Sequence, residues 1–260
     1  MLFTLKKENP IAVFDSGLGG VSVLRELIKI MPNENYIYFG DSANAPYGIK
    51  TTDEVRKLTC QHAEWLFENG AKGLVVACNT ATSAAVRILR ETYPYIPIVG
   101  IEPAVKPAVQ SKEHPRVLVM ATPMTIREQK FHKLMDKYHD QGEIIPLPCP
   151  GLMDFVERGD LDGVDLQKYL TELLFEYRHN PVDAAVLGCT HYPFVKNMIK
   201  KTLGDDVQIF DGGGGTAREM RRRLKEADLL CERDGVGKVD FRNSCHDSDK
   251  EELFWRLLKS

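Results

Sequence analysis

No stretch of this chain reaches the roughly 18 consecutive apolar residues that a membrane-spanning helix needs. Met1–Pro10 opens with a few apolar residues and then Lys6-Lys7-Glu8, too short and in the wrong order for a secretory signal. The expected location is the cytoplasm. Charge of one sign is also missing. The formal net charge is −3, and the one dense basic stretch, Arg218 to Lys225, reads as the solvated face of a helix. Nucleic acid and membrane are therefore excluded as partners. There is no C-x-x-C pair and no compact cysteine framework. Cys60, Cys78, Cys149, Cys189, Cys231 and Cys245 are scattered, so they are expected to be free thiols. Gly212–Gly215 has no Lys-Ser or Lys-Thr after it, which argues against a phosphate loop and for a helix-entry turn.

What is present is a regular alternation. Short Val- and Ile-rich runs occupy Ile11–Asp15, Tyr36–Gly40, Gly73–Ala77, Ile96–Ile101, Arg116–Ala121, Glu143–Leu147, Ala184–Gly188 and Val207–Phe210. Such runs, bounded by Gly, Pro or polar residues, are buried parallel strands. Helical stretches follow most of them. Thr51 and Glu54 form a capping box, after which Val55, Leu58, His62, Trp65 and Leu66 make an apolar stripe that Gly70 ends. Alternating β and α units imply an α/β fold with parallel sheets.

Ligands of such sheets bind at the carboxyl ends of the strands. There the unusual residues fall: Asp15-Ser16, Asp41-Ser42, Cys78-Asn79-Thr80 and Cys189-Thr190-His191. The halves of the chain echo each other. Leu74 to Thr80 resembles Ala185 to His191, and each is preceded by another strand ending in a hydroxyl-rich turn, Asp15-Ser16 or Thr122. The pattern predicts two pseudo-symmetric α/β domains, residues 1–100 plus 211–260 and residues 101–210, with the active site in the cleft between them.

Two thiols facing one ligand from opposite sides suit racemisation at an α-carbon. One face loses a proton while the other gains one. Cysteine, with an ordinary pKa near about 8.5, is tuned downward by a helix N-terminus or a cation. Both Cys78 and Cys189 are read as preceding helical stretches. Asn79, Thr80, Thr190 and nearby backbone N–H groups can hold a carboxylate, and Asp15 and His191 can assist proton movement. A lone cysteine after an apolar strand is ordinarily packing, and Cys60, Cys149, Cys231 and Cys245 are left in that class. Cys78 and Cys189 differ because they are matched, strand-terminal and flanked by Asn, Thr and His.

Four blocks, Phe14–Gly20, Gly40–Gly48, Ala77–Ala81 and Leu187–Pro193, resemble the signature segments of bacterial glutamate racemases in order and spacing. The resemblance runs from about residue 10 to residue 225. The two cysteine blocks alone also fit aspartate racemases of the same superfamily, which stay open as an alternative. Pro46-Tyr47-Gly48 points to the glutamate branch. The resemblance implies that Cys78 acts on D-glutamate and Cys189 on L-glutamate. Asp15 and Ser16 hold the amino end, and Asp15 and His191 aid proton transfer. Pro46, Tyr47, Gly48, Asn79, Thr80, Thr125, Thr190 and His191 line the pocket. It implies no cofactor, no metal, a homodimer, and a role in supplying D-glutamate for peptidoglycan. Glu157 is a further candidate near the pocket, although its ordinary reading is a surface helix acid. Two departures, the Gly212–Gly215 run and Ser244-Cys245-His246-Asp247, put the C-terminal packing in doubt.

Four other readings compete. Gly17, Gly19 and Asp41 approach a dinucleotide fingerprint, but Asp15 would face the pyrophosphate and Ser22 replaces the third Gly. A thiol hydrolase would pair Cys189 with His191, only two residues away, and leave Cys78 idle. A zinc site would use Cys78, Cys189 and His191. A two-lobed binding protein would ordinarily carry an export signal.

Overall fold

The computed structural model describes residues 5–245 and 247–260. The chain divides into two compact units, one running to Glu102 and resuming at Gly213, the other Pro103–Gly212.

The first unit holds a five-stranded parallel sheet in the order β4-β3-β1-β2-β9. Its strands are β1 Ile11–Asp15, β2 Tyr36–Gly40, β3 Gly73–Val76, β4 Ile98–Gly100 and β9 Val239–Asn243. Three helices connect the first four: α1 Val21–Ile30, α2 Thr52–Glu68 and α3 Asn79–Thr92. The step from β1 to β2 moves one way across the sheet, and the steps through β3 to β4 move the other way. Right-handed crossovers then put α1 on one face and α2 and α3 on the other. The direction reverses between β1 and β3, so their carboxyl ends form a switch point, where such sheets leave a crevice. Asp15 and Cys78 stand there.

The capping box forms as expected. Thr51 Oγ1 accepts the Glu54 amide and the Glu54 carboxylate accepts the Thr51 amide. The stripe below it is rotated from the expected one. Val55, Thr59, Ala63, Leu66 and Phe67 are the buried residues of α2, while Trp65 is exposed and His62 turns toward Asp41. His62 fits the spacing of an apolar stripe, yet its half-buried ring faces the Asp41 carboxylate.

The second unit holds a four-stranded parallel sheet in the order β6-β5-β7-β8. Its strands are β5 Arg116–Ala121, β6 Glu143–Pro148, β7 Ala184–Leu187 and β8 Gln208–Asp211. Pro146 and Pro148 are tolerated in β6 because it is an edge strand. Val117, Val119, Ala184 and Val186 alternate onto one face and pack under Val105, Val109, Phe131 and Tyr138. Burying each of these valines contributes about 1.5–3 kcal/mol.

Read as β8-β7-β5-β6, this order repeats β4-β3-β1-β2 of the first unit. The register repeats as well. Ala77 donates to Phe14 O at 2.8 Å and Gly188 to Met120 O at 2.7 Å. Asp41 donates to Asp15 O at 2.9 Å and Cys149 to Ala121 O at 3.0 Å. Cys78 therefore matches Cys189, Ser16 matches Thr122, and Asp41 matches Cys149.

The Gly212–Gly215 run enters a helix, as expected, with Gly213 already in the first turn of Gly213–Glu226. One expectation for the C-terminal part needs correction. The segment around Ser244 is well packed: β9 pairs with β2 over its whole length and Phe254 of the last helix, Ser248–Lys259, is fully buried. His246 lies outside the described residues. Among the described residues no helix is long and apolar enough to cross a membrane.

Candidate active site

Cys78 stands two residues past the end of β3 and caps α3. Its backbone is extended, and its sulfur accepts the Ala81 amide at 3.5 Å. A thiolate in this place meets the positive end of a helix dipole. Beside it, Asn79 and Thr80 are buried in the first turn of α3. Neither polar atom of the Asn79 side chain has a hydrogen-bond partner. A buried amide left in that state costs about 1–3 kcal/mol, so an arriving hydrogen-bonding ligand has something to satisfy.

Asp15 is fully buried at the end of β1 and accepts the Gly17 amide at 3.1 Å, and Ser16 is buried next to it. Gly20 is required by this packing, since a Cβ there would lie 2.7 Å from Asp15 Cβ. The turn after β2 carries Pro46, Tyr47 and Gly48. Tyr47 is buried, and its hydroxyl donates to Asp41 Oδ2 at 2.6 Å. That hydroxyl is engaged within the protein, and Tyr47 O accepts the Lys50 amide at 3.1 Å, which leaves the amides of Tyr47 and Gly48 for a ligand. Asp41 is likewise engaged by Tyr47 and Asn44. An acid in that position of a dinucleotide fold would need a free carboxylate for a ribose.

In the second unit, Cys189 follows β7 in an irregular turn, and a short 3-10 helix, Tyr192–Val195, comes after it. A helical stretch does follow, as expected, but it opens in 3-10 form and becomes an α-helix only at Lys196, so Cys189 is not a helix cap as Cys78 is. Help for Cys189 comes from His191 instead. Its Nδ1 lies 3.6 Å from the Cys189 sulfur, and its Nε2 lies 2.8 Å from Glu157 Oε1. Burial works against a charged imidazole here, but the sulfur and the carboxylate on its two nitrogens outweigh it and raise its pKa well above the ordinary value. Glu157 is thus not a surface acid. Its side chain is 13% exposed and ends the helix Leu152–Glu157 facing His191. Nothing in its local sequence announced this; only the fold brings positions 157 and 191 together.

Thr190 is buried beside Cys189. Thr125 is buried too, and its hydroxyl lies 2.9 Å from that of Thr122, whose oxygen also accepts the Thr125 amide at 3.1 Å. Cys149 is buried, and burial pushes its thiol pKa far up, which suits a packing role. Among the described residues no group of three or more His, Cys, Asp or Glu has the arrangement of a metal site. The Cys189–His191 contact does form, so proximity in sequence does not count against a hydrolase-like pair.

Comparison with known proteins separates these readings. The family profile Asp/Glu/Hydantoin racemase matches residues 11–220. A glutamate racemase of Clostridium perfringens is 52% identical over 253 residues, covering 97% of this chain and 97% of that one. Among solved structures, glutamate racemase isoform RacE1 of Bacillus anthracis aligns with a TM-score of 0.88 at 31% identity, over 98% of this chain and 95% of its own. The Francisella tularensis glutamate racemase in complex with D-glutamate aligns with a TM-score of 0.85 at 30% identity, again over 98% and 95%. The chain belongs to the Asp/Glu/Hydantoin racemase family and, within it, to the glutamate racemases.

Proposed function

We propose that this protein interconverts L- and D-glutamate without a cofactor, using Cys78 and Cys189 as the two bases. What carries the reading is the matched register that puts one thiol on the same rung of two repeated units. In the L-to-D direction the Cys189 thiolate takes the α-proton of L-glutamate, and the Cys78 thiol delivers its own proton to the opposite face. The reverse direction exchanges the roles. The product leaves with the protonation of the two thiols inverted, so the cycle closes only after that state is restored.

The α-proton is weakly acidic, and the developing charge needs stabilising. Backbone N–H groups at the start of α3, the Asn79 amide and the hydroxyls of Thr80, Thr125 and Thr190 are the means available around the carboxylates. Asp15 and Ser16 hold the amino group. Asp15 serves the Cys78 side and His191, backed by Glu157, serves the Cys189 side. The D-glutamate in the Francisella tularensis relative supports the choice of substrate. We place the protein in the cytoplasm as a homodimer that supplies D-glutamate for peptidoglycan.

The test is to incubate purified protein with each enantiomer of glutamate, with no added pyridoxal phosphate, nicotinamide or metal, and to follow circular dichroism. Interconversion from both sides is expected. Turnover of aspartate but not glutamate would overturn the substrate, and no turnover of either would overturn the activity.

A further inference from the structure

The turn after β2 is held by a charge that the proposed chemistry leaves unused. Asp41 is fully buried. Its Oδ2 accepts the Tyr47 hydroxyl at 2.6 Å, and Asn44 Nδ2 donates to Oδ1 at 2.9 Å and Oδ2 at 3.1 Å. His62 Nε2 lies 3.1 Å from Oδ2, with its ring packed against Phe14 and Phe39 at 5.6 Å and 4.6 Å. Burial alone would favour the neutral acid, but His62, Tyr47, Asn44 and the Ser244 hydroxyl outweigh it and hold the carboxyl well below its usual range. Asp41 is therefore a buried anion whose oxygens are spent on the loop that follows it.

The same loop is gripped from the far end of the chain. Ser244, just past β9, donates its amide to Gly40 O at 3.0 Å and accepts the Ala43 amide on its hydroxyl at 2.9 Å. Asn243 Nδ2 donates to Ser42 Oγ at 2.9 Å. The segment from Ser42 to Ile49 is short and built from two single turns of 3-10 helix, a conformation with poor internal hydrogen bonding. Its shape is set by these outside contacts.

We infer that Asp41 is a positioning residue for substrate binding and that Ser244 belongs to the same clamp. Together they hold Tyr47 and Gly48 in their binding conformation before glutamate arrives. Ordering the loop in advance removes a cost that binding would otherwise carry. The inference rests on the reading of Tyr47 and Gly48 as substrate-binding. Asp41 acts through the loop and not on the α-carbon, so its loss is expected in KM and not in kcat.

The experiment compares wild type with Asp41→Asn, Ser244→Ala and the double variant in two measurements. Racemisation of L- and D-glutamate should show KM raised about 10-fold in Asp41→Asn and about 3-fold in Ser244→Ala, with kcat within about 3-fold of wild type. The double variant should be no worse than Asp41→Asn, because both changes release one loop. Peptide-resolved hydrogen exchange, which needs no activity, should show faster exchange over Ser42–Ile49 in each variant and unchanged protection over β1 and β3. An unchanged KM with unchanged exchange over that loop would overturn the inference. So would a fall in kcat at constant KM, or strictly multiplied effects in the double variant. Should Asp41→Asn not fold, Tyr47→Phe takes its place with the same expected signs. A wild type inactive on glutamate would count against the proposed function, and the exchange data would still decide the clamp.

Discussion

Glu157 Oε1 lies 2.8 Å from His191 Nε2, while the other ring nitrogen of His191 faces the Cys189 sulfur at 3.6 Å. The imidazole is thus held between an acid and a thiol, and its pKa stands well above the ordinary value. A histidine with a raised folded-state pKa contributes stability that is fully present below its unfolded value of about 6.5 and is lost as pH rises through the folded value. Glu157→Gln should lower the histidine pKa. The alkaline limb of the rate profile should move to lower pH, and kcat should fall about 10- to 100-fold. Profiles of kcat against pH for both enantiomers check this; an alkaline limb that stays in place would refute it.

Cys78 and Cys189 draw on different supports, a helix N-terminus for one and an imidazole for the other. Both are nevertheless required in each direction by a two-base cycle. Cys78→Ala and Cys189→Ala should each reduce turnover of L- and D-glutamate by at least about 10³-fold. Cys60→Ala, at a half-buried position of α2, should change it by less than about 2-fold. In deuterated water, product should carry deuterium at the α-carbon early while unreacted substrate gains far less, since separate thiols remove and deliver the proton. Equal labelling of substrate and product at low conversion would point to a single base.

Most of the framework could be read from residue order because it depends on local signals. Buried parallel strands are continuous apolar runs, and the β1, β2 and β5 boundaries coincide with the expected ones. β9 was not foreseen because it is a half-exposed edge strand, Val-Asp-Phe-Arg-Asn, whose apolar and polar residues alternate and leave no run to find. The helical stretch expected after Cys189 is present, but residue order did not show that it starts in 3-10 form at Tyr192 and turns α-helical only at Lys196. Long-range pairs were out of reach for a different reason. Glu157 with His191, and Asp41 with His62 and Ser244, are joined only by the fold. A titratable residue on a helix looks the same in sequence whether its partner is solvent or an imidazole. The echo between the halves, faint as letters, is plain as backbone register, because hydrogen-bond rungs persist where side chains have diverged.

At the opposite end of the first sheet, Lys72 and Glu34 form a buried ion pair at 2.5 Å, with side chains 0% and 2% exposed. Lys72 also donates to Lys7 O, and the other Glu34 oxygen accepts the Cys231 amide at 2.9 Å. The pair ties the N-terminal stretch and the 231 segment to the sheet. Removing one partner strands the other charge in a dry site. Glu34→Ala and Lys72→Ala should each cost about 3–5 kcal/mol in urea unfolding. The double variant should lose less than the sum, since no unpaired charge remains. Additive losses would mean that the two groups act independently.

Asn79 offers a prediction in which stability and activity move in opposite directions. It is buried, stands next to Cys78, and both its amide nitrogen and its amide oxygen lack hydrogen-bond partners. Folding has already removed water from these atoms without replacing it. Truncating the side chain removes that penalty, and it also removes packing contacts of a small polar group. Asn79→Ala is therefore expected to leave the unfolding free energy unchanged or to raise it by up to about 1 kcal/mol. The bound state differs, because there the amide is expected to gain its partners from the substrate carboxylate. Losing them should raise KM for both enantiomers about 10-fold or more, at about 1.4 kcal/mol per factor of ten. Asn79→Asp keeps the size but places a negative charge against the same carboxylate, and it should weaken binding further. Urea titration and steady-state kinetics on the same preparations check both halves. A variant that is destabilised by several kcal/mol yet binds glutamate as wild type does would show that Asn79 serves the fold and not the ligand.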